Sequence, residues 1–290
     1  MYAFGDKMFR SLAKKLLLSV PDIRRLMRER DTAQSERDIA RGEIEELRLR
    51  MASADDEHLG LTERLAHVKP EHSKTVFSHW GEDSIEQFIF RDFGAGRYLD
   101  IGCYHPALYS NTMALYQRGW TGVNVDPNPF MIEQCGKYRP KDTSINKAVG
   151  AKKGRMEYYN FHDWASSNTA NKDFAKAVAA VSAVEVPAPT LVEVLTLADI
   201  INEYFHGKAP DFLNIDVEEL DIEVLESGDW GSHRPSVVAV EDISFVADRP
   251  ADSAIHRFMR ERDYILFSRC VFTSLYIERT FNNSGPKFPC

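Results

Sequence analysis

Five acidic side chains fall at or just past the ends of apolar, β-branched runs: Asp100, Asp126, Asp216, Glu241 and Asp242. A carboxylate at the tip of a strand can accept hydrogen bonds from both hydroxyls of a ribose. Asp126, closing the second such run, therefore reads as the holder of an adenosine-containing cofactor. Two histidines, His79 ahead of the first run and His105 just after it, could exchange a proton near neutrality, where an unperturbed imidazole titrates. The chain has nine histidines, so any one of them can equally be a structural or exposed residue. One acid at a strand end is ordinary. Several on one rim repel each other unless hydroxyls, a cationic ligand or a metal offset the charge.

The elements that must position these acids follow from the hydrophobic pattern. Residues 98–102 (Tyr-Leu-Asp-Ile-Gly) form a short apolar strand broken by glycine. Residues 110–117 read as a helix ended by Arg118-Gly119, and residues 122–126 as a second strand stopped by Pro127. Strand, turn, helix and strand in this order make the first βαβ unit of a nucleotide-type fold. A helix through Ile85, Phe88, Ile89 and Phe93 precedes it, and residues 144–149 read as a third strand. Residues 154–159 read as a strand outside the βα alternation. Residues 160–190, rich in Ala, Ser, Asn and Pro, read as a lid or substrate loop. A helix over 195–204 leads to a strand at 211–218 that again delivers acids to its carboxyl end. A helix over 219–226, an acid-tipped strand over 236–242 and a helix that includes 257–262 follow. Residues 264–267 and 271–277 then close the domain as an antiparallel pair. Ligands of open α/β sheets bind outside the carboxyl ends of the strands, so all five acids share one edge.

Composition bounds the function. A chain of 290 residues with 43% apolar content holds one α/β domain plus an appendage. The net charge of −8 argues against general nucleic-acid binding. Four cysteines without metal spacing read as reduced thiols of a cytoplasmic protein, and no apolar run is long enough for a membrane-spanning helix. Residues 1–20 read as a basic amphipathic helix: Phe4, Met8, Phe9, Leu12 and Leu16 recur at helical spacing among Lys7, Arg10, Lys14 and Lys15. Such a helix suits peripheral contact with an anionic membrane face, and equally packing on the chain's own body or on a partner. Across 21–68 a heptad places Leu26, Ala33, Ala40, Leu47, Ala54 and Leu61 at d, while Arg30, Arg37 and His58 interrupt a. That pattern predicts a coiled coil for self-association or for a partner helix, or else a single charged helix. The catalytic domain then spans 69–280, and 281–290 reads as a loose tail.

The ordered phrases Gly81-Glu82-Asp83, Leu99-Asp100-Ile101-Gly102, Ser110-Asn111-Thr112, Gly119-Trp120-Thr121-Gly122, Asp126-Pro127-Asn128-Pro129, Asn146-Lys147-Ala148-Val149, Ile215-Asp216-Val217-Glu218 and Arg234-Pro235 resemble those of FkbM-type methyltransferases. That family is a branch of the class I S-adenosylmethionine-dependent enzymes, and the match covers roughly residues 73–280. The resemblance implies an α/β, Rossmann-like seven-stranded sheet with a reversed last strand, preceded here by the long N-terminal helix or coiled coil. It implies O-methylation of a sugar or glycan hydroxyl. Asp100 and Gly102 would lie beside the methionine moiety of S-adenosylmethionine, Asp126 on the ribose, and Asn146 and Ala148 at the adenine. Glu82 and Asp83 would help close the pocket.

A sugar hydroxyl needs a base or a metal to become a nucleophile. Asp216, Glu241 and Asp242 could supply an oxygen-only site for Mg²⁺, with the alternative that Glu241 or Asp242 simply caps the following turn or pairs with Arg234. His79 or His105 could act as general base, and Glu218 as base or substrate ligand. Trp120 is expected to pack a helix on the sheet and Trp80 to stand near the cofactor mouth. Trp164 either stacks on a sugar ring or packs its own loop. One departure from the family is the turn after Gly102, Cys103-Tyr104-His105-Pro106 in place of a broader glycine-rich one. It supports the alternative of an inactive methyltransferase-like domain serving as an oligomeric scaffold. A nicotinamide dehydrogenase is a poor rival, because residues 102–107 lack its glycine fingerprint.

Overall fold

The computed structural model describes residues 75–284. The expectations for residues 1–20 and 21–68, and for 285–290 of the tail, lie outside the described residues. The chain opens with α1 (Glu82–Ile89), β1 (Arg97–Ile101), α2 (Met113–Gln117), β2 (Thr121–Val125), α3 (Pro129–Tyr138) and β3 (Thr143–Ile145). It continues through β4 (Ala148–Val149), β5 (Gly154–Tyr158), α4 (Lys172–Ser182), β6 (Thr190–Leu195), α5 (Leu197–Phe205) and β7 (Phe212–Ile215). Then come α6 (Asp221–Glu226), β8 (Val237–Glu241), α7 (Ala254–Glu261), β9 (Tyr264–Cys270), β10 (Thr273–Glu278) and α8 (Arg279–Ser284). That last helix occupies the start of the segment read as tail.

Seven strands form one sheet in the order β3-β2-β1-β7-β8-β10-β9. All pairings are parallel except those of β10, which runs antiparallel to both β8 and β9. The reversed last strand and the closing antiparallel pair are thus as expected. The central strands are buried on both faces, which is why they read as near-continuous apolar runs. Alternate residues feed two cores. Leu99, Ile101, Val123, Val125, Leu213, Ile215, Val238 and Val240 pack on one side, under α5 and α7. Tyr98, Phe212, Val237, Ala239, Leu275 and Ile277 pack on the other with Phe90 and Trp120. Trp120 is wholly buried there, as expected of it. Among the described residues no helix is long and apolar enough to cross a membrane.

The middle of the chain departs from the expected pattern in four places. The third strand at 144–149 is two strands: β3 ends at Ile145, Lys147 turns back to the Ile145 carbonyl, and β4 leaves the main sheet. β4 joins a second, three-stranded sheet in the order β4-β6-β5. Its middle member β6 touches the expected loop at Thr190 and the expected helix at Leu195, and between them fills residues 191–194, for which no element was expected. The 160–190 segment also contains α4, which the Asn171 side chain caps by accepting from the Asp173 and Phe174 amides. α5 begins two residues later than expected, behind a Thr196–Asp199 capping box.

Candidate active site

The carboxyl ends of β1, β2, β7 and β8 open onto a cavity of about 310 Å³, in the range of small-molecule sites. Six carboxylates line it: Glu82, Asp100, Asp126, Asp216, Glu218 and Glu241. No Lys or Arg is among its described lining residues. Burial is the main force on the acids that shift. It pushes Asp126 up to about 6, held back by the Asn128 and Tyr104 amides. It raises Asp100 too, against the pull of Arg139, Thr112 and Asn214. Glu218 rises to about 8 through burial and repulsion from Glu241 and Glu219. Asp216 is ringed by protein yet accessible from the cavity itself; burial and the charges of Glu241, Asp221, Glu218 and Asp100 hold it well above the usual carboxylate range. Glu241 is raised by burial and by Glu219, and its buried Oε2 has no hydrogen-bond partner.

Asp100 and Asp126 are rigidly set. Thr112 Oγ1 donates to Asp100 Oδ2 at 2.5 Å and Asn214 Nδ2 donates to Oδ1 at 2.9 Å. Asn111 Nδ2 holds Asn214 in turn at 2.9 Å. Asp126 accepts from the Asn128 amide at 2.8 Å and the Tyr104 amide at 3.0 Å, one on each oxygen. Between them Gly102 adopts φ +75°, and a Cβ there would stand 1.7 Å from the Asp216 carbonyl oxygen. Its backbone can approach the end of β7 only because no side chain intervenes. Gly102→Ala is therefore expected to destabilise the domain by about 1–3 kcal/mol, the range for overpacking, and to displace the turn. A urea midpoint equal to wild type would show that the approach is dispensable.

The turn departs from the glycine-rich pattern without losing the backbone conformation. Tyr104 itself takes the left-handed region, at φ +46°, and its amide still reaches Asp126. His105 is a correction. Its Nδ1 accepts from the Ala107 and Leu108 amides at 3.1 and 2.8 Å, its ring is near Trp164, and it is not among the residues that line the cavity. It caps the turn, and burial lowers its pKa. His79 does line the cavity, between Trp80 and Tyr109.

Glu82 lines the cavity and is fixed by the Trp80 amide and Thr273 Oγ1. Asp83 turns away instead, accepting from the Phe77 amide and Ser78 Oγ to brace the approach to α1. Ala148 lines the cavity. Asn146 does not; its side chain donates to the Asp126 carbonyl at 3.0 Å. The metal set is also corrected. Asp242 is not on the cavity wall: its oxygens accept from Ser244 Oγ at 2.8 Å and Ser253 Oγ at 2.5 Å. Among the described residues no three His, Cys, Asp or Glu side chains converge as a metal site.

Glu218 and Glu219 are consecutive left-handed residues, φ +56° and +70°. Such strain in non-glycine residues costs about 1–3 kcal/mol each and clusters at functional sites. It turns the backbone after β7 so that Glu218 meets the cavity, while Glu219 accepts from Asn171. The loop between β5 and α4 supplies Ser166, Asn168 and Thr169 to the wall. Trp164 packs near Phe130 and His105 and is half exposed. Missing from the sequence reading were Tyr109, Tyr158 and Asn214. Only Asn214 left a signal, as a polar residue inside an otherwise apolar central strand.

A family model described as "Methyltransferase FkbM domain" matches residues 100–266. No curated protein matches the chain. Among solved structures, a methyltransferase FkbM from Methylobacillus flagellatus is similar at 14% identity and a TM-score of 0.38. That match covers 63% of this chain and 43% of that one, so the chain spans less than half of that protein's length. A TehB-like SAM-dependent methyltransferase from Corynebacterium glutamicum matches at 9% identity and TM-score 0.36, covering 78% of this chain and 98% of that one. A precorrin-6y C5,15-methyltransferase from Geobacter metallireducens matches at 11% and 0.36, covering 71% and 91%.

Proposed function

Because this chain belongs to the FkbM methyltransferase family, we propose that it transfers a methyl group from S-adenosylmethionine to a hydroxyl of a sugar or glycan-type acceptor. The observation that carries this reading is the acid-lined cavity, in which a rigid Asp100–Asp126 half faces a strained Glu218 half. The donor set suits the cofactor. Six carboxylates, with no Lys or Arg among the described lining residues, favour a cationic ligand, and the buried, unpartnered Glu241 Oε2 awaits a donor. S-adenosylmethionine supplies a methyl group carried on a positively charged sulfonium.

The chain's own residues do the rest. Asp126 spends one lone pair of each oxygen on a backbone amide and keeps others for ribose hydroxyls. Asp100, locked by Thr112 and Asn214, offers charge beside the methionine end. Ala148, which lines the cavity, would provide an apolar wall for the adenine. Glu218 takes the proton from the acceptor hydroxyl onto a carboxylate oxygen, and a pKa pushed up to about 8 suits a base working near neutrality. Glu241 and Asp216 accept hydrogen bonds from the acceptor's other hydroxyls and hold its oxygen in line, which supplies much of the rate of a displacement.

Calorimetry with S-adenosylhomocysteine tests the reading. The wild-type chain is expected to bind it, and Asp126→Ala to weaken that binding tenfold or more with an unchanged circular dichroism spectrum. Equal affinities would remove Asp126 from the site. No binding by the wild-type chain would favour the inactive scaffold.

A further inference from the structure

We propose that Trp80, His79, Tyr109 and Phe272 form the acceptor-binding strip of this enzyme, taking the C–H face of a neutral sugar ring while the neighbouring carboxylates take its hydroxyls. The proposal rests on the methyl-transfer reading and names what that reading leaves open: where the acceptor sits and which class it belongs to.

The four rings come from three separate pieces of chain, the lead into α1, the β1–α2 connection and the β9–β10 hairpin, and all line the one cavity. His79 is stacked between Trp80 and Tyr109, with ring centroids 4.3 Å apart on each side and interplanar angles of 18° and 29°. Phe272 meets Trp80 edge to face at 6.4 Å. This is not a core. Trp80 is 47% exposed, Tyr109 45% and Phe272 43%, which puts the strip at the mouth, with large apolar surface open to whatever enters.

Backbone strain is a second, independent observation. Tyr109 is left-handed at φ +58°, and Val271, which turns the hairpin tip just before Phe272, is left-handed at φ +45°. A bulky or β-branched residue in that region is a rare and costly choice. Hydrogen bonds around the strip hold it in place: the Ser110 amide, next to Tyr109, donates to the Phe77 carbonyl, and the Trp80 amide donates to Glu82. Two strained turns and one anchored lead thus aim aromatic rings at the mouth of the cavity.

Charge then narrows the ligand class. A phosphorylated or carboxylated acceptor would meet Glu82, Asp216, Glu218 and Glu241 with no Lys or Arg among the described lining residues to offset them. A neutral ring with hydroxyls on its edge meets both halves of the site. Its C–H face packs on the exposed edges and outer rings of the stack, since both faces of His79 are covered and Tyr109 also lies parallel to Tyr104 at 6.3 Å. Its hydroxyls donate to the carboxylates.

The test uses the full-length chain saturated with S-adenosylhomocysteine and a panel of uncharged oligosaccharides, with the tightest binder measured by calorimetry. Trp80→Ala and Tyr109→Ala are each expected to weaken that affinity tenfold or more, with S-adenosylhomocysteine affinity within twofold of wild type. Tyr109→Phe, which keeps the ring, is expected to bind as wild type. The strip is overturned if no uncharged oligosaccharide binds while S-adenosylhomocysteine does, if both Ala variants bind the sugar as tightly as wild type, or if only phenolic or anionic acceptors bind. Absence of S-adenosylhomocysteine binding overturns the strip together with the reading beneath it, which distinguishes the two failures.

Discussion

Glu218→Gln is expected to lower methyl transfer by 10²- to 10⁴-fold, the usual contribution of a general base, while leaving S-adenosylhomocysteine affinity nearly unchanged. Glutamine keeps the size and hydrogen bonding of the side chain but cannot take a proton. The pH dependence gives a sharper signature than the rate. A base must be unprotonated to act, and burial with the charges of Glu241 and Glu219 pushes Glu218 up to about 8. Wild-type kcat/KM should therefore climb as pH rises through about 8 and level off above it. A bound cation favours the charged carboxylate, so the same limb in kcat should lie at lower pH. The variant should lose the limb. Transfer of labelled methyl from S-adenosylmethionine to glycan precursors of the host provides the measurement. A variant that keeps both rate and limb would pass the role to Asp216, the other strongly raised acid at this wall.

The backbone strain at Glu218 could not be read from residue types, although the acid rim itself could. The β1–α2–β2 unit was legible because two apolar runs of strand length are punctuated by Gly102 and Pro127. The central strands were legible because burial on both faces makes them continuous apolar runs. The second sheet lacked that signal. β6 is exposed over its first half, and β4 has only two residues, too short for any period to show. The misplaced acids had a rule available. Neighbours on an extended chain point to opposite sides, so Glu241 and Asp242 could not both face the cavity, and Asp242 is in fact committed to two serines. His105 carried no such warning. Its capping of the Ala107 and Leu108 amides depends on the turn at Tyr104, which residue type alone disfavours. The strip at the mouth was half visible: Trp80 was expected near the cofactor, but nothing in the sequence joins it to Tyr109 and Phe272, which arrive from distant segments.

Arg139→Leu is expected to cost about 3–5 kcal/mol, the penalty for breaking a buried ion pair from one side, and so to lower the melting temperature by roughly 10 °C. Arg139 and Asp142 are both wholly buried, joined Nε to Oδ2 at 2.8 Å. Arg139 Nη2 also donates to Tyr98 Oη at 2.6 Å and to Thr112 Oγ1 at 2.9 Å. Asp142 accepts further bonds from Tyr98 Oη, the Gly122 amide and Asn124 Nδ2. Removing the guanidinium leaves a carboxylate in the interior with three neutral donors and no countercharge. The loss should be partly recovered by Asp142→Asn in the same background, because the stranded charge, more than the missing contact, is the cost. Through Thr112 the network also ends on Asp100 at the cavity floor, so the single variant should bind S-adenosylhomocysteine more weakly even where it is folded. A urea midpoint that does not move would mean that Asp142 finds water or a proton at little cost. Thr112 and Asn214 would then hold Asp100 without help from Arg139.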